Sequence, residues 1–287
     1  MFKAYLNLTM AMVIVGSSVV AGKIMIDQLP IFFASALRFL IASLLMVPIL
    51  YFREGGLPQL SRRSWCILCV QALCGSFLFT VLMLFGLTMI SPASAGIITS
   101  TTPACMGIIG WILLKERPSG RTLAGIFLSV AGVMVLNILG EGGAFGASFL
   151  GSLLMVGAVA SESLFLLFRK WVPEPLSPIA ATTIISLFGF LWFLPAGLYQ
   201  FFTHDYSVVA IGPWLAVVYY GVVVTVLAYL FWFAGIVSVS SSVASVFTGV
   251  MPLSAVCLSA LILGEQLQFS HFIGCTCVLG GIALISD

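Results

Sequence analysis

The chain has 287 residues, of which 61% are apolar and only 7% are Asp, Glu, Lys or Arg, with a formal net charge of +2 and a mean hydropathy of +1.22. A soluble domain carries roughly a quarter charged residues, so this composition leaves almost no room for a water-soluble enzyme. The near-neutral balance and the lack of a basic arm argue against nucleic acid, and unbroken apolar runs argue against a membrane barrel, whose strands alternate apolar and polar residues.

A membrane-spanning helix needs about 20 apolar residues. Pro, Gly and charge clusters divide the chain into ten such stretches: 5–26, 31–52, 65–86, 91–114, 121–139, 149–169, 176–201, 211–234, 238–263 and 268–286. The first begins as a signal peptide does, with Lys3 before an apolar run. Ala21-Gly22 is followed at once by Lys23, however, so it reads as a retained helix. Ser17 and Ser18 are its central polar residues. In the second stretch, Arg38 lies about 10 Å along the helix. Snorkelling, or a structural link to Asp27 or a backbone carbonyl, is the expected role of Arg38, and of Lys23 by the same argument. Recognition of a substrate carboxylate is the alternative.

The fourth stretch carries Ser91, Ser94 and the run Thr99 to Thr102, with Pro103 breaking the backbone ladder. The sixth carries Glu162 between Ser161 and Ser163, about two turns before Arg169. A carboxylate at that depth costs ~2.5–3.5 kcal/mol on insertion scales. Such a cost points to a proton site or a cationic substrate, with a local structural bond as the bland alternative.

In the eighth stretch, Tyr229 and Trp232 share a face, whereas Tyr220 and Tyr229, nine residues apart, are expected on opposite faces of an α-helix. Tyr229 is deep enough to help form an aromatic site for a cation. The ninth stretch has a hydroxyl stripe of Ser238, Ser241, Ser242, Ser245 and Thr248, then Pro252. Small hydroxyl residues promote close helix packing and also line polar cavities.

Nine of the eleven Lys and Arg residues fall at the ends and loops that ten helices put on the side of both termini, and the opposite loops hold none. That asymmetry predicts cytoplasmic termini. Shifting the chain by 149 residues brings Gly86 onto Gly235, Ala95 onto Ala244, Pro103 onto Pro252, Glu116 onto Glu265 and Gly132 onto Gly281. The chain therefore reads as a duplication, 1–140 and 148–287. Each half holds five helices, an odd number, so the second half enters the membrane inverted. Inverted repeats put a substrate site near the midplane and supply two near-equivalent conformations. Glu116 and Glu265 end apolar helices, and each is expected to accept from backbone N–H groups at the start of the next helix.

The cysteines Cys66, Cys69, Cys74, Cys105, Cys257, Cys275 and Cys277 are odd in number and lie in apolar runs. They read as small buried packing residues rather than metal ligands. No phosphate-binding loop is present. His204 and His271 lie near helix ends, which leaves an intramembrane protease without a base.

The stretch Ser94 to Ile98 with Pro103, then Trp111 to Arg117 and Gly125 to Gly132, resembles the fourth and fifth helices of the EamA family of the drug/metabolite transporter superfamily. Ser242 to Ser245 with Pro252, then Leu263-Gly264-Glu265 and Gly274 to Gly281, resembles the same motif in the second half. Ala36 to Phe39 matches the second-helix signature, and Gly16 to Ser18 with Lys23 the first, although Val15 and Ser18 replace an aromatic and an amide. The resemblance implies an all-α, polytopic, ten-helix carrier in the cytoplasmic membrane, moving amino acids, related metabolites or organic cations, commonly outward.

The expected site is Glu162, Ser17, Ser18, Ser94, Thr99, Tyr229, Trp232, Ser241, Ser245 and Thr248, with Arg38, Pro103, Glu116, Pro252 and Glu265 structural. No cofactor, metal or enzymatic activity is expected. The expected partners are a small-molecule substrate, a proton as candidate coupling ion, and the bilayer. The chain is expected to be a monomer or weak dimer. A channel-like or structural membrane protein is the competing class.

Overall fold

A computed structural model describes residues 2–99, 101–102, 104–105, 108–109, 120–139, 147–168, 171–236, 247 and 250–286. Among the described residues there are ten helical spans and no strand. We number them α1 (Phe2–Ile26), α2 (Ile31–Glu54), α3 (Arg62–Leu87), α4 (Pro92–Thr99), α5 (Gly120–Leu139), α6 (Ala147–Phe168), α7 (Pro178–Thr203), α8 (Ile211–Gly235), α9 (Val250–Leu263) and α10 (Phe269–Ser286). Five of them, α1, α2, α3, α7 and α8, are long and apolar enough to cross a membrane. With the shorter apolar helices they make an all-α, polytopic membrane protein. Pro103, Glu116, Ser241, Ser245 and Thr248 lie outside the described residues. Pro252 falls within α9, and its side chain is outside them too.

Local chemistry sets the helix ends. Ser61 is the N-cap of α3 and accepts from Ser64 N–H; Ser177 is the N-cap of α7 and accepts from Ala180 N–H. Pro178 follows Ser177 at the first helical position, where a missing N–H costs nothing. Gly55, at φ 76°, closes α2 in the left-handed conformation that glycine adopts without strain.

Helices meet where side chains are small. A Cβ on Gly16 of α1 would come within 2.6 Å of the Met251 carbonyl oxygen of α9, and one on Gly96 of α4 within 2.4 Å of Ala255 Cβ. Close backbone approach of this kind replaces the hydrophobic drive that lipid cannot supply. The largest apolar core joins residues of α1, α2, α3, α4, α6, α8 and α9, with Met25, Leu84, Leu87 and Ile97 fully enclosed. The large exposed side chains are apolar, among them Leu44, Phe127, Leu191 and Leu261. Such a surface is stable against acyl chains, not water.

Two helices change their winding at matching places. α3 is π-helical over Leu73–Leu78, and α8 is π-helical over Tyr220–Leu227. Advancing Leu73–Leu78 by 149 residues gives 222–227, inside the second stretch. Each holds one aliphatic hydroxyl at the same register, Ser76 and Thr225. Thr225 uses its hydroxyl to donate to the Tyr220 carbonyl five residues back, at 2.9 Å. Isolated π turns are uncommon and gather at functional sites.

The expectation for the cysteines is corrected. All seven are free, but only Cys74 is buried, and Cys66 and Cys257 are exposed. A thiol in an apolar run is as compatible with a lipid-facing position as with a helix contact, so the run itself does not choose.

Candidate functional site: a cavity at mid-span

The cavity forms where the two π-helical stretches face α1, α2, α4, α6 and α9. Its volume is about 120 Å³. One buried water needs about 10–15 Å³ on the same scale, so the space holds roughly ten water-sized positions, enough for a small metabolite. Its wall is mostly apolar and aromatic: Met12 and Val15 from α1, Phe79 from α3, Phe165 from α6, Val224, Tyr229, Trp232 and Phe233 from α8, and Met251 from α9. Polar groups enter at few points, namely Ser18, Arg38, Thr99, Thr102, Glu162 and Thr225. An apolar pocket with few convergent polar groups is the usual form of a small-molecule site.

Glu162 reaches this wall from α6. Its Oε2 lies 2.8 Å from the Thr102 hydroxyl. That hydroxyl is also 2.8 Å from the Thr99 carbonyl, and its single proton serves one acceptor at a time. Thr99 lines the cavity, with its own hydroxyl turned back to the Gly96 carbonyl at 3.0 Å.

Arg38 faces the same space. It is 5% exposed; Nη2 donates to the Thr80 hydroxyl at 2.9 Å, and buried Nε has no hydrogen-bond partner. Its guanidinium lies over two rings, with Phe39 at 4.3 Å and Tyr220 at 4.4 Å. Ring faces stabilise a desolvated cation in part. The expected link to Asp27 or a carbonyl is therefore corrected. Lys23 does take a carbonyl, that of Leu87 at 2.7 Å, whereas Arg38 turns inward to a hydroxyl and the cavity.

The aromatic wall also corrects an expectation. Tyr220 and Tyr229 both line the cavity. In a regular α-helix nine residues bring side chains to opposite faces. The intervening π-helical stretch turns less per residue and returns Tyr229 to the face of Tyr220. Tyr229 stacks on Phe165 at 6.4 Å and meets Phe233 edge-on at 6.2 Å.

Of the described residues expected at the site, Glu162, Ser18, Thr99, Tyr229 and Trp232 come together on this wall. Ser17 and Ser94 do not. Ser17 shares a 2.7 Å hydrogen bond with Tyr219 and donates to the Ile14 carbonyl. Ser94 belongs to a cap at the start of α4, bonded to Ser91 and, at 3.1 Å, to His271 Nε2. Glu265 joins that cap: Oε2 accepts from Ala93 N–H at 3.2 Å, and Oε1 has no partner. It serves a helix start as expected, but that of α4 in the first half rather than of α10. Helix ends that meet in space need not be neighbours in the chain.

Sequence reading missed Gly75, Phe79, Phe165 and Thr225 as wall residues. Gly75 carries a legible trace, since a Cβ there would sit 2.2 Å from Phe165 Cδ2, and only glycine lets that ring reach the wall. Among the described residues no group of three or more His, Cys, Asp or Glu is placed to hold a metal ion.

A helical membrane protein with a small cavity at mid-span, lined by one carboxylate and one guanidinium, has the build of a small-molecule carrier. The EamA-like transporter family model matches twice, over residues 2–138 and 149–287. The chain belongs to the EamA-like transporter family and is a multi-pass membrane transporter. It is 44% identical over 281 residues to the uncharacterized transporter YetK of Bacillus subtilis, covering 97% of this chain and 85% of that one. It is 24% identical over 280 residues to the WAT1-related protein At3g02690, chloroplastic, of Arabidopsis thaliana, covering 94% of this chain and 66% of that protein. A solved crystal structure shares the fold with a TM-score of 0.69 at 21% identity, covering 98% of this chain and 97% of the other.

Proposed function

We propose that the chain is a secondary active transporter of the cytoplasmic membrane, moving a small amino compound by alternating access, as an exporter or exchanger. The carrying observation is that Glu162 and Arg38 line the same cavity, each bonded to a neutral threonine hydroxyl, Thr102 and Thr80. A carboxylate here attracts an ammonium group, and the aromatic wall assists it. A guanidinium with a free buried donor attracts a carboxylate. An amino acid or close derivative offers both groups; an organic cation offers only the first.

Alternating access is supported by the repeat. The family model matches each half separately, and the two π-helical stretches correspond under the same 149-residue shift. We take the halves as 1–140 and 148–287, inverted, with both termini cytoplasmic from the distribution of the basic residues. Each chain carries a whole cavity, so the working unit is a monomer or weak dimer. A proton bound at Glu162 is the proposed coupling ion.

Thermal stabilisation of the purified protein tests the substrate class. The panel holds amino acids, their carboxamides, the corresponding amines and the corresponding carboxylic acids. Stabilisation by amino acids above the other three supports the reading. Equal stabilisation by the amines replaces the zwitterion with an organic cation, and stabilisation by none refutes the class.

A further inference from the structure

The two ends of the bundle carry the same pair of clasps, built with different chemistry. At one end Ser61 N–H, at the N-cap of α3, donates to Glu174 Oε1 at 3.2 Å, and the Ser64 hydroxyl also donates to Glu174. At the other end Ala210 N–H, at the N-cap of α8, donates to Gln28 Oε1 at 2.7 Å. Ser61 and Ala210 are 149 residues apart, so these are equivalent contacts. The second clasp joins the antiparallel α2 and α7. The Ser177 hydroxyl at the start of α7 lies 2.7 and 2.8 Å from the two carboxylate oxygens of Glu54 at the end of α2. At the opposite end Phe33 N–H, in the first turn of α2, donates to Gln200 Oε1 near the end of α7, at 2.9 Å. One end thus has Glu54 and Glu174 where the other has Gln200 and Gln28.

The difference has a direction. A carboxylate at a helix N-terminus accepts charge-assisted hydrogen bonds and interacts favourably with the helix dipole; an amide oxygen in the same place gains much less. α3 and α8 both wall the cavity, through Gly75 and Phe79 on one and Tyr220 to Phe233 on the other. A clasp on the start of either helix therefore holds one side of a cavity mouth.

We propose that the clasps are unequal gates: the carboxylate pair Glu54 and Glu174 holds its end shut more firmly than the amide pair Gln28 and Gln200 holds the other. The substrate-free transporter then rests open at the Gln28 and Gln200 end. The loops with Glu54 and Glu174 also carry Arg53, Arg62 and Arg63, the basic cluster that predicts the cytoplasmic side, so the resting state faces outward. Contacts this exposed are individually weak. Two halves of near-equal energy need only a small imbalance to choose between states.

The inference rests on alternating access, and the test separates the two. A single reporter cysteine replaces Ser18 on the cavity wall, with the seven native cysteines replaced. An impermeant thiol reagent is applied from each side in oriented vesicles. In Glu54→Gln/Glu174→Gln, the ratio of inner to outer labelling should rise by roughly two- to fivefold per carboxylate, the scale of exposed charged contacts. In Gln28→Glu/Gln200→Glu, outer labelling should fall by a similar factor; this reciprocal pair decides the matter if the first variant does not fold. Labelling from both sides with an unchanged ratio overturns the unequal gates and leaves alternating access standing. Labelling from one side only, in every variant, overturns alternating access itself.

Discussion

Glu162→Gln keeps the length and shape of the side chain and removes its charge. The amide oxygen still accepts from Thr102, now at 2.8 Å from Oε2, so the wall is preserved and the loss is electrostatic. If Glu162 is the counter-charge for a substrate ammonium, the variant loses a hydrogen bond of the charged class, worth about 1.5–3 kcal/mol. That is a roughly 10- to 150-fold weaker Kd. The assay is a substrate titration of purified protein, followed by uptake into proteoliposomes with and without a proton gradient. A proton relay gives a different result: exchange survives and gradient-driven accumulation is lost. Wild-type affinity together with wild-type accumulation would refute both, and Glu162 would then be a structural group bonded to Thr102.

Gly75→Ala would put a Cβ 2.2 Å from Phe165 Cδ2, forcing the ring into the cavity. We expect a loss of ~1–3 kcal/mol in stability and loss of transport, both partly rescued by Phe165→Leu, read by thermal unfolding and uptake. Tyr220→Leu removes one of the rings over Arg38, whereas Tyr220→Phe keeps it. A fall in affinity for carboxylate-bearing substrates should therefore appear in the first and not in the second. Glu265→Ala leaves the Ala93 N–H without its acceptor and should cost ~0.5–2 kcal/mol in thermal stability, with Glu265→Gln falling between the two because the amide keeps the acceptor and loses the charge. Donation from the Ser64 hydroxyl first, and then from Ser61, lowers the Glu174 carboxyl from 4.5 to about 2. A depressed carboxyl contributes its full stabilisation above its ordinary value and loses it only as pH falls through the lowered one. With the Ser18→Cys reporter and Glu162→Gln removing the proposed coupling site, the inner-to-outer labelling ratio should then stay flat between about pH 7 and pH 5.

The helices were legible because the apolar runs are long and Pro, Gly and charges punctuate them. Glu162 was legible for a related reason: one carboxylate among apolar residues is conspicuous by its cost. Arg38 was just as conspicuous, yet its direction was not readable. A long side chain near a helix end can reach back to the surface or turn inward, and Thr80 and Tyr220, remote in the chain, decide which. The facing of Tyr220 and Tyr229 is not legible, because a π-helical stretch leaves no mark in an apolar run, and face counting assumes constant winding. Ser17 and Ser94 differ from Ser18 and Thr99 only in their neighbours: a hydroxyl engaged by Tyr219 or His271 reads in the sequence like one lining a cavity. The clasps of Gln28 and Gln200, like the partner of Glu265, join segments more than a hundred residues apart and become visible only once the helices are packed.

The central claim is that a small amino compound crosses this membrane through one cavity exposed to each side in turn. Counterflow in proteoliposomes tests it most directly. Vesicles are loaded with unlabelled amino acid, chosen from the stabilising members of the panel, and labelled amino acid is supplied outside at low concentration. The account predicts transient uphill accumulation of label that saturates with outside concentration and is abolished in Arg38→Gln. Label that only equilibrates, at a rate linear in concentration and indifferent to the internal load, would contradict it and make the protein a pore.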